Sequence, residues 1–168
     1  MQRSCEARML AKRRALRIDA RIDVDLRTPM LLPSFSSKGF PNVKKIFKAA
    51  EEYISDEVLV SAYDVKYGLL DPPFDFASIV FLDSGGYEAS KDAELSETFD
   101  REHVARDWSP ELHAEVVAKW KCASPTVFVN FDSPKFRMKT SEQIARAKSI
   151  KMPLGDHGKE LFVRRRMN

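Results

Sequence analysis

Apolar residues in this chain come in short blocks with two different spacings. Over residues 42–54, Val43, Ile46, Phe47, Ala50 and Ile54 recur at helical intervals, while Lys44, Lys45, Lys48 and Glu51 fall mainly on other faces. Pro41 suits the start of that helix. Mostly apolar runs of strand length occur at Val58–Ala62, Ile79–Leu82 and Thr126–Phe131, the last being the best strand by β-propensity. Met30-Leu31-Leu32, closed by Pro33, predicts a first buried strand, and Ser36-Ser37-Lys38-Gly39 a polar loop. Ser109-Pro110-Glu111 supplies an N-cap, a proline at the first helical position and an acid at the positive end of the dipole. Leu112, Val116, Val117 and Trp120 then form that helix's apolar face. A further helix is predicted over 141–150, with Ile144, Ala147 and Lys148 on alternating faces.

The ends of the chain read differently. Residues 1–20 alternate basic and apolar positions, which fits a short basic helix or a disordered arm. Residues 21–26 alternate polar and apolar side chains as a half-exposed strand does. Residues 89–107 are acidic and polar and read as a long loop, with a short helix near Phe99–Ala105. The stretch 151–168 shows no period and ends in Arg164-Arg165-Arg166. The expected organisation is a basic arm over 1–20, a folded region over 21–150 and a basic irregular tail over 151–168.

The order of strands and helices implies an α/β fold with parallel strands. Right-handed crossovers put Asp64, Asp83 and Asp132 on one rim, at the carboxyl ends of their strands, where α/β folds hold their ligands. Each of these carboxylates alone also suits a turn or the cap of a following helix. The strongest local feature is Ile79-Val80-Phe81-Leu82-Asp83-Ser84-Gly85-Gly86-Tyr87-Glu88. An apolar run stops at a carboxylate, and the two glycines allow a sharp turn or a close approach to a ligand.

Composition narrows the classes. A chain of 168 residues, 43% hydrophobic and 32% charged, holds one domain with a real core and reads as soluble and globular. No apolar run reaches the length of a bilayer span, and the basic N-terminus has no secretory h-region, so a cytoplasmic setting without membrane contact is expected. Cys5 and Cys122 are the only cysteines and lie far apart, which argues against a zinc site built within this chain. The net charge of +3 is small, but basic residues collect at both ends and acids in the middle. Basic ends can meet nucleic-acid phosphates, or be solvated tails.

Three blocks in order resemble the tRNA-guanine transglycosylase family. Thr28-Pro29-Met30-Leu31-Leu32-Pro33 with Lys38-Gly39 resembles its opening strand and loop. Phe81-Leu82-Asp83-Ser84-Gly85-Gly86-Tyr87 resembles its Asp-Ser-Gly-Gly-Phe block. Ser109-Pro110-Glu111-Leu112 through Val129-Asn130-Phe131-Asp132 resembles its helix and the strand that closes in a base-reading Asp. The resemblance implies the first half of a (β/α)₈ TIM barrel and exchange of guanine in tRNA or DNA for a 7-deazaguanine base. It implies that Asp83 is catalytic, in base recognition or proton transfer, and that Ser84, Gly85, Gly86, Tyr87 and Asp132 bind the base and ribose. A nucleotide handled in this way is flipped from its stack into a polar pocket with an aromatic wall.

Departures from the family pattern bear on activity. Family barrels are about twice this length. Their nucleophilic Asp and Cys-x-Cys-x-x-Cys…His zinc site have no counterpart in this sequence, so no cofactor is expected, and a second polypeptide or a missing segment is the expected source of the nucleophile. Glu88 stands where the family has Gln, and Ser133 where an acid often follows the second Asp. Such changes resemble divergent relatives that modify DNA. Besides an enzyme half, a non-catalytic binding half-barrel and a truncated inactive paralogue fit the same sequence.

Overall fold

The computed structural model describes residues 15–17, 25–27, 30–54, 56–90, 104–131, 141 and 145, the first two segments as backbone. Contacts divide the chain into Met1–Leu31 and Leu32–Asn168. In the first unit β1 (Ala15–Arg17) pairs antiparallel with β2 (Asp25–Arg27), so positions 15–17 are strand where the sequence suggested helix or disorder.

The second unit is built on a four-stranded parallel sheet. Its strands are β3 (Ser34–Phe35), β4 (Glu57–Ser61), β5 (Ile79–Asp83) and β6 (Thr126–Phe128), adjacent in the order of the sequence. Register aligns Phe35 with Val60, Val60 with Leu82, and Leu82 with Phe128. This is an α/β fold, as the strand and helix order implies. Val58, Val60, Val80 and Leu82 have no exposed surface, as expected for central parallel strands covered on both faces. Each such side chain contributes about 1.5–3 kcal/mol by leaving water.

Helices α1 (Val43–Ala50), α2 (Ala62–Lys66) and α3 (Pro110–Ala118) connect the strands. On α1 Val43 and Phe47, one turn apart, reach the core, and Ile54 packs against it from the turn beyond. Ile46, expected on that face, is 39% exposed. Phe47 meets Phe35, Phe74 and Phe76 edge-on at centroid distances of 4.8, 5.3 and 5.6 Å. On α3 the expected cap is present: Ser109 Oγ accepts from the Leu112 N–H at 3.3 Å, with Pro110 in the first turn. Val116 and Val117 are buried as the periodicity predicts.

Three expectations are corrected. Met30–Leu32 is not a strand: Leu31 is 86% exposed, and β3 begins only at Ser34, although the Pro33 carbonyl accepts from the Leu59 N–H at 2.9 Å. Ala62, expected at the end of a strand, instead opens α2, which begins at once after β4 and carries Tyr63 and Asp64. The strand expected over 126–131 ends at Phe128, although the Val129 N–H still bonds the Leu82 carbonyl at 2.9 Å. The helix expected over 141–150 and the one near 99–105 lie almost wholly outside the described residues, as do the terminal basic clusters. Among the described residues, no helix is long and apolar enough to cross a membrane.

Candidate functional site

The buried polar and charged residues among those described are Lys38, Ser61, Asp64, Ser84, Glu88 and His113. Ser61 ends β4, and each of the others lies in the connection after β3, β4 or β5. The chain stacks these groups at one end of the sheet because each strand hands over to a polar turn or helix start there.

Adjacent connections are tied to each other by buried side chains. Asp64, fully buried in the first turn of α2, accepts from the Ser37 N–H at 2.9 Å and the Ser37 Oγ at 2.5 Å. Ser61 caps α2 by position, but its hydroxyl donates instead to Glu88 Oε2 at 2.9 Å. Lys38 Nζ donates to the carbonyls of Tyr87 and Ser90 at 3.2 and 3.1 Å and to Ser90 Oγ at 2.6 Å. The same ammonium sits 4.5 Å from the Tyr87 ring centroid. The loop after β3 is thus bound to both following connections, and the loop after β5 is bound to both preceding ones.

Burial raises the Asp64 carboxyl to about 7, with the nearby Glu88 charge adding to the rise and the Ser37 bonds opposing it. An acid in such a place exchanges a proton near neutrality. Burial also lowers the His113 imidazole to about 4, so it is neutral at pH 7. Among the described residues its buried Nε2 has no hydrogen-bond partner, and its ring lies 6.3 and 5.9 Å from those of Trp108 and Phe131.

The segment 104–109 runs over α2 and closes on the glycine turn. The Arg106 N–H donates to the Tyr63 hydroxyl at 2.7 Å, the Tyr67 hydroxyl donates to the Asp107 carbonyl, and Trp108 Nε1 donates to the Ser84 carbonyl at 2.8 Å. Gly85 has φ +78°, in the left-handed region. A Cβ there would lie 2.6 Å from Tyr63 Cβ and 2.9 Å from Tyr63 N, so the turn packs on the start of α2 as only glycine permits.

The predicted site residues fall as follows. Asp83 ends β5 opposite Ser61 in the register and is half-buried. Ser84 and Gly85 are buried beside it, Gly86 is half-buried, and Tyr87 is 39% exposed. Asp132, and with it any geometry shared by Asp83 and Asp132, lies outside the described residues. Asp64 and Asp83 do follow neighbouring strands on one rim.

Sequence reasoning missed Glu88 and His113 as buried groups, and Trp108 as the indole on the glycine turn. His113 had a signal: positions 113, 116, 117 and 120 are spaced as one helical stripe, so the imidazole had to share the buried face. Glu88 and Trp108 had none, because both act across more than twenty residues of chain. Among the described residues no group of three or more His, Cys, Asp or Glu is placed to hold a metal ion. No family model, curated protein or solved structure matches this chain.

Proposed function

We propose that the carboxyl end of the sheet is a guanine-type base site of a transglycosylase-like half-barrel acting in base exchange on a nucleic acid. The observation that carries this reading is the gathering of the described buried polar groups around Asp83–Glu88, at the end where parallel α/β folds bind ligands. Sequential parallel order of β3, β4, β5 and β6 supports the barrel part of the reading, because a (β/α)₈ barrel adds its strands in sequence.

In this reading Asp83 accepts from the N–H edge of the base in charge-assisted hydrogen bonds, and Tyr87 provides the aromatic wall. In base exchange the bond from C1′ to the leaving guanine breaks as a carboxylate oxygen bonds C1′, and the departing base takes up a proton. The incoming 7-deazaguanine then bonds C1′, gives up its proton and releases the carboxylate. No described residue is assigned that nucleophile, which in this reading comes from a second polypeptide or a further segment.

Equilibrium binding of guanine, with transfer of labelled guanine into tRNA and into DNA, tests the proposal. The folded protein is expected to bind the base, and Asp83→Ala to weaken binding about 10- to 100-fold, the worth of a charge-assisted bond. Folded protein that binds no guanine sinks the reading. A second reading, a non-catalytic nucleic-acid module, is favoured by the basic runs at both ends of the sequence. It predicts salt-dependent binding of nucleic acid that survives Asp83→Asn and no transfer of label.

A further inference from the structure

The Ser84–Gly85 peptide is held from one side. Trp108 Nε1 donates to the Ser84 carbonyl at 2.8 Å, and the indole nitrogen lies 3.1 Å from the place a Cβ on Gly85 would take. This peptide bond is trans, so its carbonyl and the following N–H point in opposite directions. The Gly85 N–H is therefore turned away from Trp108. No described residue accepts a hydrogen bond from the N–H of Gly85 or Gly86. Trp108 is itself fixed, since the two residues before it are tied to the hydroxyls of Tyr63 and Tyr67. The Tyr63 ring also meets the Trp108 ring edge-on at 5.6 Å.

The result is a rigid donor two positions beyond a carboxylate. A guanine-type base offers the complement along one edge: the O6 acceptor beside the N1–H and exocyclic amine donors. A carboxylate matches the two donors, and a backbone N–H matches O6. Adenine, with an amine at position 6 and no N1–H, meets neither need.

We propose that Trp108 is a positioning residue for base recognition. By holding the Ser84 carbonyl it aims the Gly85 N–H at O6 of a base whose N–H edge is met by Asp83. The inference rests on the guanine-site reading and adds to it the device that sets the choice of base.

The test compares guanine with 6-thioguanine, which keeps the N–H edge but replaces O6 with a weak sulfur acceptor. Equilibrium binding is measured on the full chain, with amide NMR spectra recorded to show that each variant is folded. The wild type is expected to prefer guanine about tenfold, the worth of one hydrogen bond. Trp108→Phe keeps a ring but removes the donor. It is expected to lose about tenfold for guanine and little for 6-thioguanine, so the preference disappears. A purely structural role weakens both bases alike, and an unchanged ratio in folded Trp108→Phe overturns the inference. So does a wild type that binds both bases equally. If Trp108→Phe does not fold, Tyr63→Phe decides: it releases Arg106 and loosens the segment that carries Trp108, and it is expected to reduce the ratio about threefold. An unchanged ratio there overturns the inference as well. A wild type that binds neither base overturns the guanine-site reading, and this inference falls with it.

Discussion

The two ends of the parallel sheet handle polar groups in opposite ways. At the amino end, Asp75 accepts from the Ala123 N–H at 2.7 Å and from Cys122 Sγ at 3.4 Å, both exposed contacts. Trp120 Nε1 donates to Thr126 Oγ1 at 2.9 Å there, while its ring stacks on Phe74. At the carboxyl end, Lys38, Ser61, Asp64, Ser84, Glu88 and His113 are all withdrawn from water. Burying such groups costs stability unless each is fully paired, and among the described residues His113 Nε2 has no partner. Such a concentration of cost at one end is where the proposed site is to be sought.

The difference is most easily broken at Gly85. Gly85→Ala forces a Cβ to 2.6 Å from Tyr63 Cβ while keeping a positive φ, and is expected to cost about 3 kcal/mol or more. Gly68 has a similar φ of +67° but nothing within 4 Å of an added Cβ, so Gly68→Ala should cost only about 1 kcal/mol. Urea denaturation of the two variants measures the gap, and equal losses would remove the special packing claimed for the glycine turn.

Next in size is the pH dependence set by Asp64. Its folded-state value near 7 lies above the ordinary 3.8, so between those values the folded protein holds a proton that the unfolded chain has lost. Stability from this group therefore falls as pH rises from about 4 to about 7 and is level above. Asp64→Asn is expected to flatten that fall in denaturation curves recorded across the range. A wild-type curve without it would mean that the carboxylate is better compensated than its burial implies.

His113 acts with the opposite sign. Its folded-state value near 4 lies below 6.5, so the unfolded chain binds the extra proton between them and stability falls as pH drops through that window. His113→Phe removes both this acid sensitivity and an unpaired buried nitrogen. It is expected to stabilise the protein by about 1 kcal/mol at pH 7. Destabilisation would instead show that the imidazole has a partner worth keeping.

The smallest effect belongs to the amino end. Asp75→Ala removes exposed contacts only and should cost about 1 kcal/mol or less, with base binding unchanged. A loss of base binding in this variant would contradict the division between the two ends.

Much of the sheet was legible in the sequence because parallel strands buried on both faces leave unbroken apolar runs, as at Val58–Val60 and Ile79–Leu82. The start of α3 was legible because Ser109-Pro110-Glu111 writes its cap in local residues. Helix α2 was not, since five residues are too few to display a period. β3 was expected at Met30–Leu32 rather than at Ser34–Phe35 because an apolar triplet before a proline resembles a strand from hydropathy alone. In the site, Asp83 through Tyr87 were readable as one contiguous block. The pairs Ser37–Asp64 and Ser61–Glu88, each 27 residues apart, were not, because only the register of β3, β4 and β5 brings them together.

The central claim is that a guanine-type base binds at the carboxyl end of the sheet. Backbone amide NMR of the full chain, titrated with guanine, tests it most directly. The account predicts saturable shifts at Asp83, Ser84, Gly85, Gly86 and Tyr87, with Asp75 and Ala123 unmoved. Saturable shifts confined to the amino end, or no shifts in a folded protein, would contradict it.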